Sequence, residues 1–194
     1  MPRVSEEHLT ARREQILTAA RACFLRKGLH NTSMQDLIQE AGLSVGAVYR
    51  YFKSKNEIIS AIASAVAGGI QQHIDAVADR RLPLADSLDA VLDGIEVQLG
   101  PDGVLPIALQ VWSEATLDPA IAEIVRERYS GLRRSVRRLV QQAVESGELP
   151  AETDVDAVAP VVFSMVPGYA LQRLLIGSPD KKVYVDGIRA LINR

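Results

Sequence analysis

Tyr49, Arg50, Tyr51 and Lys55 follow directly on three residues with small side chains, Val45, Gly46 and Ala47. Two phenol hydroxyls, a guanidinium and an ammonium are the donors that hold phosphate oxygens and read base edges in a major groove. Small residues ahead of them let a helix N-terminus come close to another surface. The chain offers little else to chemistry. It has no Glu-x-x-His pair for a di-iron site, no phosphate loop and no nucleophile elbow. His8, His30 and His73 are isolated, without the spacing of metal ligands. Asp86, Asp89, Asp93 and Glu96 share one helix face and could bind a hard cation, but a solvated acidic face is the simpler reading. The arginines at 126, 128, 133, 134, 137 and 138 read as a solvated helix face paired with Glu123, Glu127 and other acids. Cys23, beside Phe24 in an apolar stripe, reads as a small core residue and not as a redox sensor. The expectation is of a protein that is not an enzyme and needs no cofactor and no metal.

The elements that place these donors are legible in residues 32–57. Thr32 and Gln35 have capping-box spacing at the start of one short helix. Gly42 suits a left-handed helix end, Leu43 tucks inward, and Ser44 caps the next helix only two residues after Gly42. So short a turn forces the two helices to cross steeply, the helix-turn-helix geometry. On the second helix Val48 and Phe52, four apart, face the core, so Tyr49, Arg50 and Tyr51 cannot all be buried. Ser54 and Glu57 form a second capping box, and the helix N–H groups with Lys55 make an anion site.

This segment resembles the DNA-binding domain of the tetracycline-repressor-like (TetR) family of bacterial regulators. The shared pattern is a Thr-rich start, Ala41-Gly42-Leu43-Ser44, Gly46, then Val48-Tyr49-x-Tyr51-Phe52 and Ser54-Lys55. The acid expected after the lysine stands one position later, at Glu57, and Leu37-Ile38 replaces a usual Ile-Ala. The resemblance implies that Thr32, Ser33, Ser44, Tyr49, Tyr51 and Lys55 hold phosphates while Val45, Gly46, Ala47 and Arg50 face bases. It further implies a ligand-responsive regulator, a repressor that binds a palindromic double-stranded operator as a homodimer and leaves it when a small molecule binds. The alternative is a helical small-molecule-binding protein without DNA contact.

Bulk properties agree with a soluble, cytoplasmic bacterial protein. The chain has 194 residues, 47% of them apolar, enough for a sizeable core. One cysteine excludes an internal disulfide framework. The polar N-terminus lacks the apolar stretch of a signal peptide. The apolar run from Ala157 to Gln172 is interrupted by Pro160 and Pro167 and is short for a membrane span. Residues 1–55 carry nine Lys/Arg against five acids, and the remainder 13 against 19, a basic head on an acidic body.

Apolar spacing near 3.6 runs throughout, with no period-2 stretch, so the fold class is all-α with about nine helices. Residues 9–54 are expected to form the helix-turn-helix domain, and residues 55–194 a helical effector-binding and dimerisation domain. Helices are expected from about Thr10, Ser33, Val45, Lys55, Leu84, Leu105, Pro119 and Asp154, with a last one near the C-terminus. The helix from Asp154 should be bent at Pro160 and Pro167-Gly168. His73, Gln110, Trp112, Phe163, Met165, Tyr169 and Gln172 are candidates for an effector cavity of mainly apolar lining, each alternatively plain core or dimer interface. The apolar helix 154–176 and the last helix, with Val183, Val185, Ile188, Leu191 and Ile192, are expected to form a two-fold four-helix interface with a second copy.

Overall fold

The computed structural model describes residues 6–100 and 103–192, and these contain nine α-helices and no strand. In order they are α1 (Glu6–Lys27), α2 (Met34–Ala41), α3 (Val45–Tyr51), α4 (Lys55–Asp79), α5 (Leu84–Leu99), α6 (Leu105–Ala115), α7 (Pro119–Glu145), α8 (Val155–Ile176) and α9 (Lys181–Ile192). The chain divides into two compact units. One joins Met1–Ala65 to Pro106–Arg126, the other Val66–Leu105 to Glu127–Arg194, and the divisions fall inside α4, after the first residue of α6 and inside α7.

The first unit is built on α1 packed against α2. Ile16, Ala20 and Phe24 of α1 are wholly buried, as are Leu37 of α2, Val48 of α3 and Ile58 of α4. Each large apolar side chain so buried stabilises the fold by about 1.5–3 kcal/mol. The ion pairs between α1 and α2, Arg26 with Glu40 and Lys27 with Asp36, both at 2.6 Å, join largely exposed groups. Such pairs contribute at most about 1 kcal/mol. Packing therefore holds α2 to α1, and the ion pairs set its direction. Cys23 is 1% exposed, and burial pushes its thiol above the usual range, which keeps it an uncharged core group.

In the second unit α5 lies against α8 and α9. Leu84, Leu88, Val91, Leu92 and Ile95 supply its apolar face. The acidic stripe on α5 is not a free solvated face. Asp86 pairs with Arg189 at 3.0 Å, Asp89 and Asp93 with Lys181 at 2.7 and 2.5 Å, and Glu96 with Arg173 at 3.3 Å. Cations of α8 and α9, distant in sequence, thus complete the row of carboxylates; no group of potential metal ligands occurs among the described residues. The arginines of α7 pair outward, Arg126 with Glu123, Arg128 with Glu127, Arg137 with Asp156 and Arg138 with Asp79.

α8 is continuous through Pro160 and Pro167. Pro167 withholds one N–H from the helix ladder, a local loss that the flanking turns absorb because Val166, Tyr169 and Ala170 are packed inside. By length and composition α8 could cross a membrane. Its Ala159, Val162, Val166 and Tyr169 are instead core residues of this unit. Val185 and Ile188 of α9, expected at a dimer face, also belong to the unit's own core, whereas Val183 and Leu191 are exposed.

α4 and α5 approach closely where His73 meets Gly94. Nε2 of His73 lies 2.8 Å from the Ala90 carbonyl, and a Cβ on Gly94 would come within 2.7 Å of the ring. Replacing Gly94 by Ala gains about 1 kcal/mol of helix propensity but costs about 1–3 kcal/mol in overpacking. Gly94→Ala is expected to lower stability by about 1 kcal/mol in urea unfolding, and adding His73→Ala should remove the steric part of that loss. A stabilised Gly94→Ala protein would contradict this packing.

Candidate nucleic-acid interface

α2 begins at Ser33, one residue after the expected cap. The Ser33 hydroxyl accepts from the Asp36 amide at 3.2 Å, and the Asp36 carboxylate accepts from the Ser33 amide at 2.8 Å. Thr32 is unavailable for this because its side chain is buried and its hydroxyl donates to the Gly28 carbonyl at 2.7 Å. α2 ends at Gly42, whose φ of 63° is left-handed. Ser44 then caps α3, its hydroxyl accepting from the Ala47 amide at 3.3 Å. The tight turn is thus built from two caps and one glycine.

α3 displays what the sequence suggested. Val48 is wholly buried and Phe52 nearly so, the latter beneath the Arg13 guanidinium at 5.2 Å. Val45 is 60% exposed and Tyr49 38%; Ser44, Gly46 and Arg50 are also exposed, and Ala47 and Tyr51 half-buried. Nothing would meet a Cβ on Gly46 within 4 Å, so the start of the helix is open. Arg50 has no carboxylate partner among the described residues. From Leu43 to Asn56 the chain has no acidic residue. The nearby acids are engaged elsewhere. The Lys27 ammonium, with the Ser33 hydroxyl, holds the Asp36 carboxyl well below the usual carboxylate range, and Arg26 lowers that of Glu40. Glu57 accepts from the Lys53 amide at 2.7 Å while Ser54 caps the Glu57 amide. The exposed side of α3 is left with uncompensated positive charge.

Lys55 lies behind this face. Its ammonium donates to the carbonyls of Leu29 and Thr32 at 3.0 and 3.1 Å, so it ties α4 to the turn before α2. Thr32 and Lys55 thus make hydrogen bonds within the fold, while Ser33, Ser44, Val45, Gly46, Ala47, Tyr49, Arg50 and Tyr51 lie along α3 and the cap of α2. Lys53, on the same stretch, reaches back to the Tyr49 carbonyl at 2.5 Å.

The seven effector candidates are distributed over both units. Gln110 and Trp112 belong to the first unit and His73, Phe163, Met165, Tyr169 and Gln172 to the second. Gln110 accepts from the Leu29 amide at 2.6 Å. Tyr169 is wholly buried with its hydroxyl on Glu96, and burial raises that phenol well above its ordinary value. Gln172 donates to the Gly168 carbonyl at 3.2 Å. Phe163 meets Tyr129 edge to face, ring centroids 5.3 Å apart, and burial pushes the Tyr129 phenol up to about 12. Tyr129 was not singled out from the sequence; no local pattern links it to a residue 34 positions away.

Two family profiles match. That described as bacterial regulatory proteins, tetR family, covers residues 16–62, and that described as BetI-type transcriptional repressor, C-terminal, covers residues 102–194. The chain belongs to the TetR family of transcriptional regulators. A TetR-family architecture agrees with its relatives in sequence and shape. The HTH-type transcriptional regulator YfiR of Bacillus subtilis is 26% identical over 190 residues, 96% of this chain and 91% of the relative. The structure of a SmeT–triclosan complex superposes with a TM-score of 0.75 at 23% identity, covering 93% of this chain and 91% of that one. FadR of Bacillus subtilis in complex with stearoyl-CoA gives 0.78 at 16% identity, covering 92% and 96%.

The caps carry a testable consequence. Ser33→Ala should cost about 1 kcal/mol by thermal or urea unfolding. Because the folded state lowers the Asp36 pKa, the stability it adds is complete above the ordinary carboxylate value and is lost as pH falls below it. Asp36→Asn should therefore be destabilised at pH 7, and its deficit should begin to shrink only as pH falls below about 4. Equal stability at pH 7 would refute the capping role.

Proposed function

We propose that this regulator is a cytoplasmic repressor that binds a palindromic operator as a homodimer and releases it when a mainly apolar small molecule binds. The observation that carries the DNA part is the exposed, acid-free face of α3, with Val45, Tyr49 and Arg50 outward and Arg50 unpaired. In this reading Arg50, with Val45, Gly46 and Ala47, faces base edges; Ser33, Ser44, Tyr49 and Tyr51 hold phosphates. Thr32 and Lys55 act from behind by fixing the turn that precedes α2.

One such helix reads only half a site, so useful specificity needs two copies. Support for a second copy comes from apolar residues that α8 and α9 leave outside. Val161 is 60% exposed, Leu175 and Ile176 68%, Val183 59% and Leu191 67%. A four-helix contact between α8 and α9 of two protomers would cover them.

For the effector, the candidates without a polar group are Phe163, which packs on Tyr129, and Met165. The bodies of triclosan and of the stearoyl chain, the molecules named with SmeT and FadR, are apolar too. A ligand acts only through its difference in affinity between the two states. A 100-fold loss of operator affinity requires about 2.7 kcal/mol of coupling.

Selection of bound duplexes from a random pool should return an inverted repeat. Arg50→Ala should alter preference at one base pair per half-site by about 1–3 kcal/mol, whereas Tyr49→Phe should weaken all sequences alike. An unchanged preference in Arg50→Ala would remove Arg50 from base reading. Light scattering should give a dimer for the parent protein and a monomer for Leu175→Asp with Val183→Asp; a monomeric parent at micromolar concentration would overturn the dimer.

A further inference from the structure

We infer that Gln110 of α6 is a positioning residue for the DNA-reading helices, a two-way tie through which α6 sets the turn between α1 and α2. This rests on the DNA-binding reading above. The Gln110 carbonyl oxygen accepts from the Leu29 amide at 2.6 Å, and its amide donates to the Phe24 carbonyl at 3.4 Å. Leu29 is 3% exposed and its N–H has no other partner among the described residues, so loss of the Gln110 oxygen would leave a buried donor unpaired. Only a side chain that both donates and accepts serves the two ends of this turn, which asparagine is too short and leucine too apolar to do.

The tie is one of three along a single stripe. Positions 110, 114 and 118 follow at four-residue spacing, and the chain keeps helical hydrogen bonding to Asp118, whose amide donates to the Glu114 carbonyl at 2.9 Å. Glu114 approaches His30 at 3.8 Å, and Asp118 accepts from Asn56 at 3.4 Å. Gln110 is the one with its partners buried. The turn opens at Gly28, whose φ of 81° is the left-handed conformation that favours glycine. From the other side Lys55 holds the Leu29 and Thr32 carbonyls. The turn leads directly into Ser33, the cap of α2. A shift of α6 therefore moves the Leu29 amide and, through four residues, the start of the helix-turn-helix.

The test uses the full chain and a duplex that the parent protein has selected from a random pool. Parent binding to that duplex tests the DNA-binding reading, and variant against parent tests this inference. Gln110→Leu should speed hydrogen exchange at the Leu29 amide about tenfold or more and weaken the selected duplex about tenfold. Affinity for a random duplex should be unchanged, which a general loss of fold would not leave intact. Gln110→Glu keeps the acceptor and loses the donor, so Leu29 protection should persist while specific binding weakens. If Gln110→Leu does not fold, this second variant decides. Specific binding within twofold of the parent in the folded variants, or unaltered Leu29 exchange in Gln110→Leu, would overturn the inference.

Discussion

The five residues from Gly28 to Thr32 carry backbone groups that no helix satisfies, and the DNA-reading end of the molecule depends on how they are satisfied instead. A buried amide or carbonyl without a partner costs about 1–3 kcal/mol, so such a turn persists in one shape only if side chains complete it. Thr32 closes it from within on the Gly28 carbonyl. Lys55 takes the Leu29 and Thr32 carbonyls from α4, and Gln110 takes the Leu29 amide from α6. Once the turn is fixed, Ser33 caps α2, Gly42 and Ser44 set the crossing, and α3 has one place to go.

Charge is sorted along the same lines. Acids near the head are drawn to its inner side by Arg26, Lys27 and backbone amides, which leaves the outer side of α3 without a compensating carboxylate. The second unit uses the opposite arrangement: a row of carboxylates on α5 receives the cations of α8 and α9. Each of these pairs is weak in water, but a row of them fixes the register in which the apolar faces of α5, α8 and α9 meet.

Helix positions were legible because apolar spacing, Gly28, Gly42, Pro119 and the serine caps each state a local rule. The cap of α2 was misplaced by one residue since Thr32 with Gln35 and Ser33 with Asp36 satisfy the same local pattern. Only the burial of Thr32 separates them. In sequence Lys55 reads as a phosphate contact and Gln110 as a cavity-lining amide, because a cation at a helix start and an amide in an apolar helix carry no local sign of their hydrogen-bond partners. Their partners lie 26 and 81 positions away. Tyr169 was legible as a cavity or core residue, but its hydrogen bond to Glu96, 73 positions away, was not.

Lys55 separates the two accounts of the head most directly. A lysine that touches a phosphate releases a counterion, and its loss lowers the slope of log K against log salt by about one. A lysine that holds two carbonyls behind the reading helix weakens binding when lost but contacts no phosphate. The decisive measurement is the salt dependence of operator binding for Lys55→Met beside the parent protein. The structure predicts weaker binding at every salt concentration with an unchanged slope. Parallel loss of about one unit of slope would place Lys55 on the DNA and contradict the account.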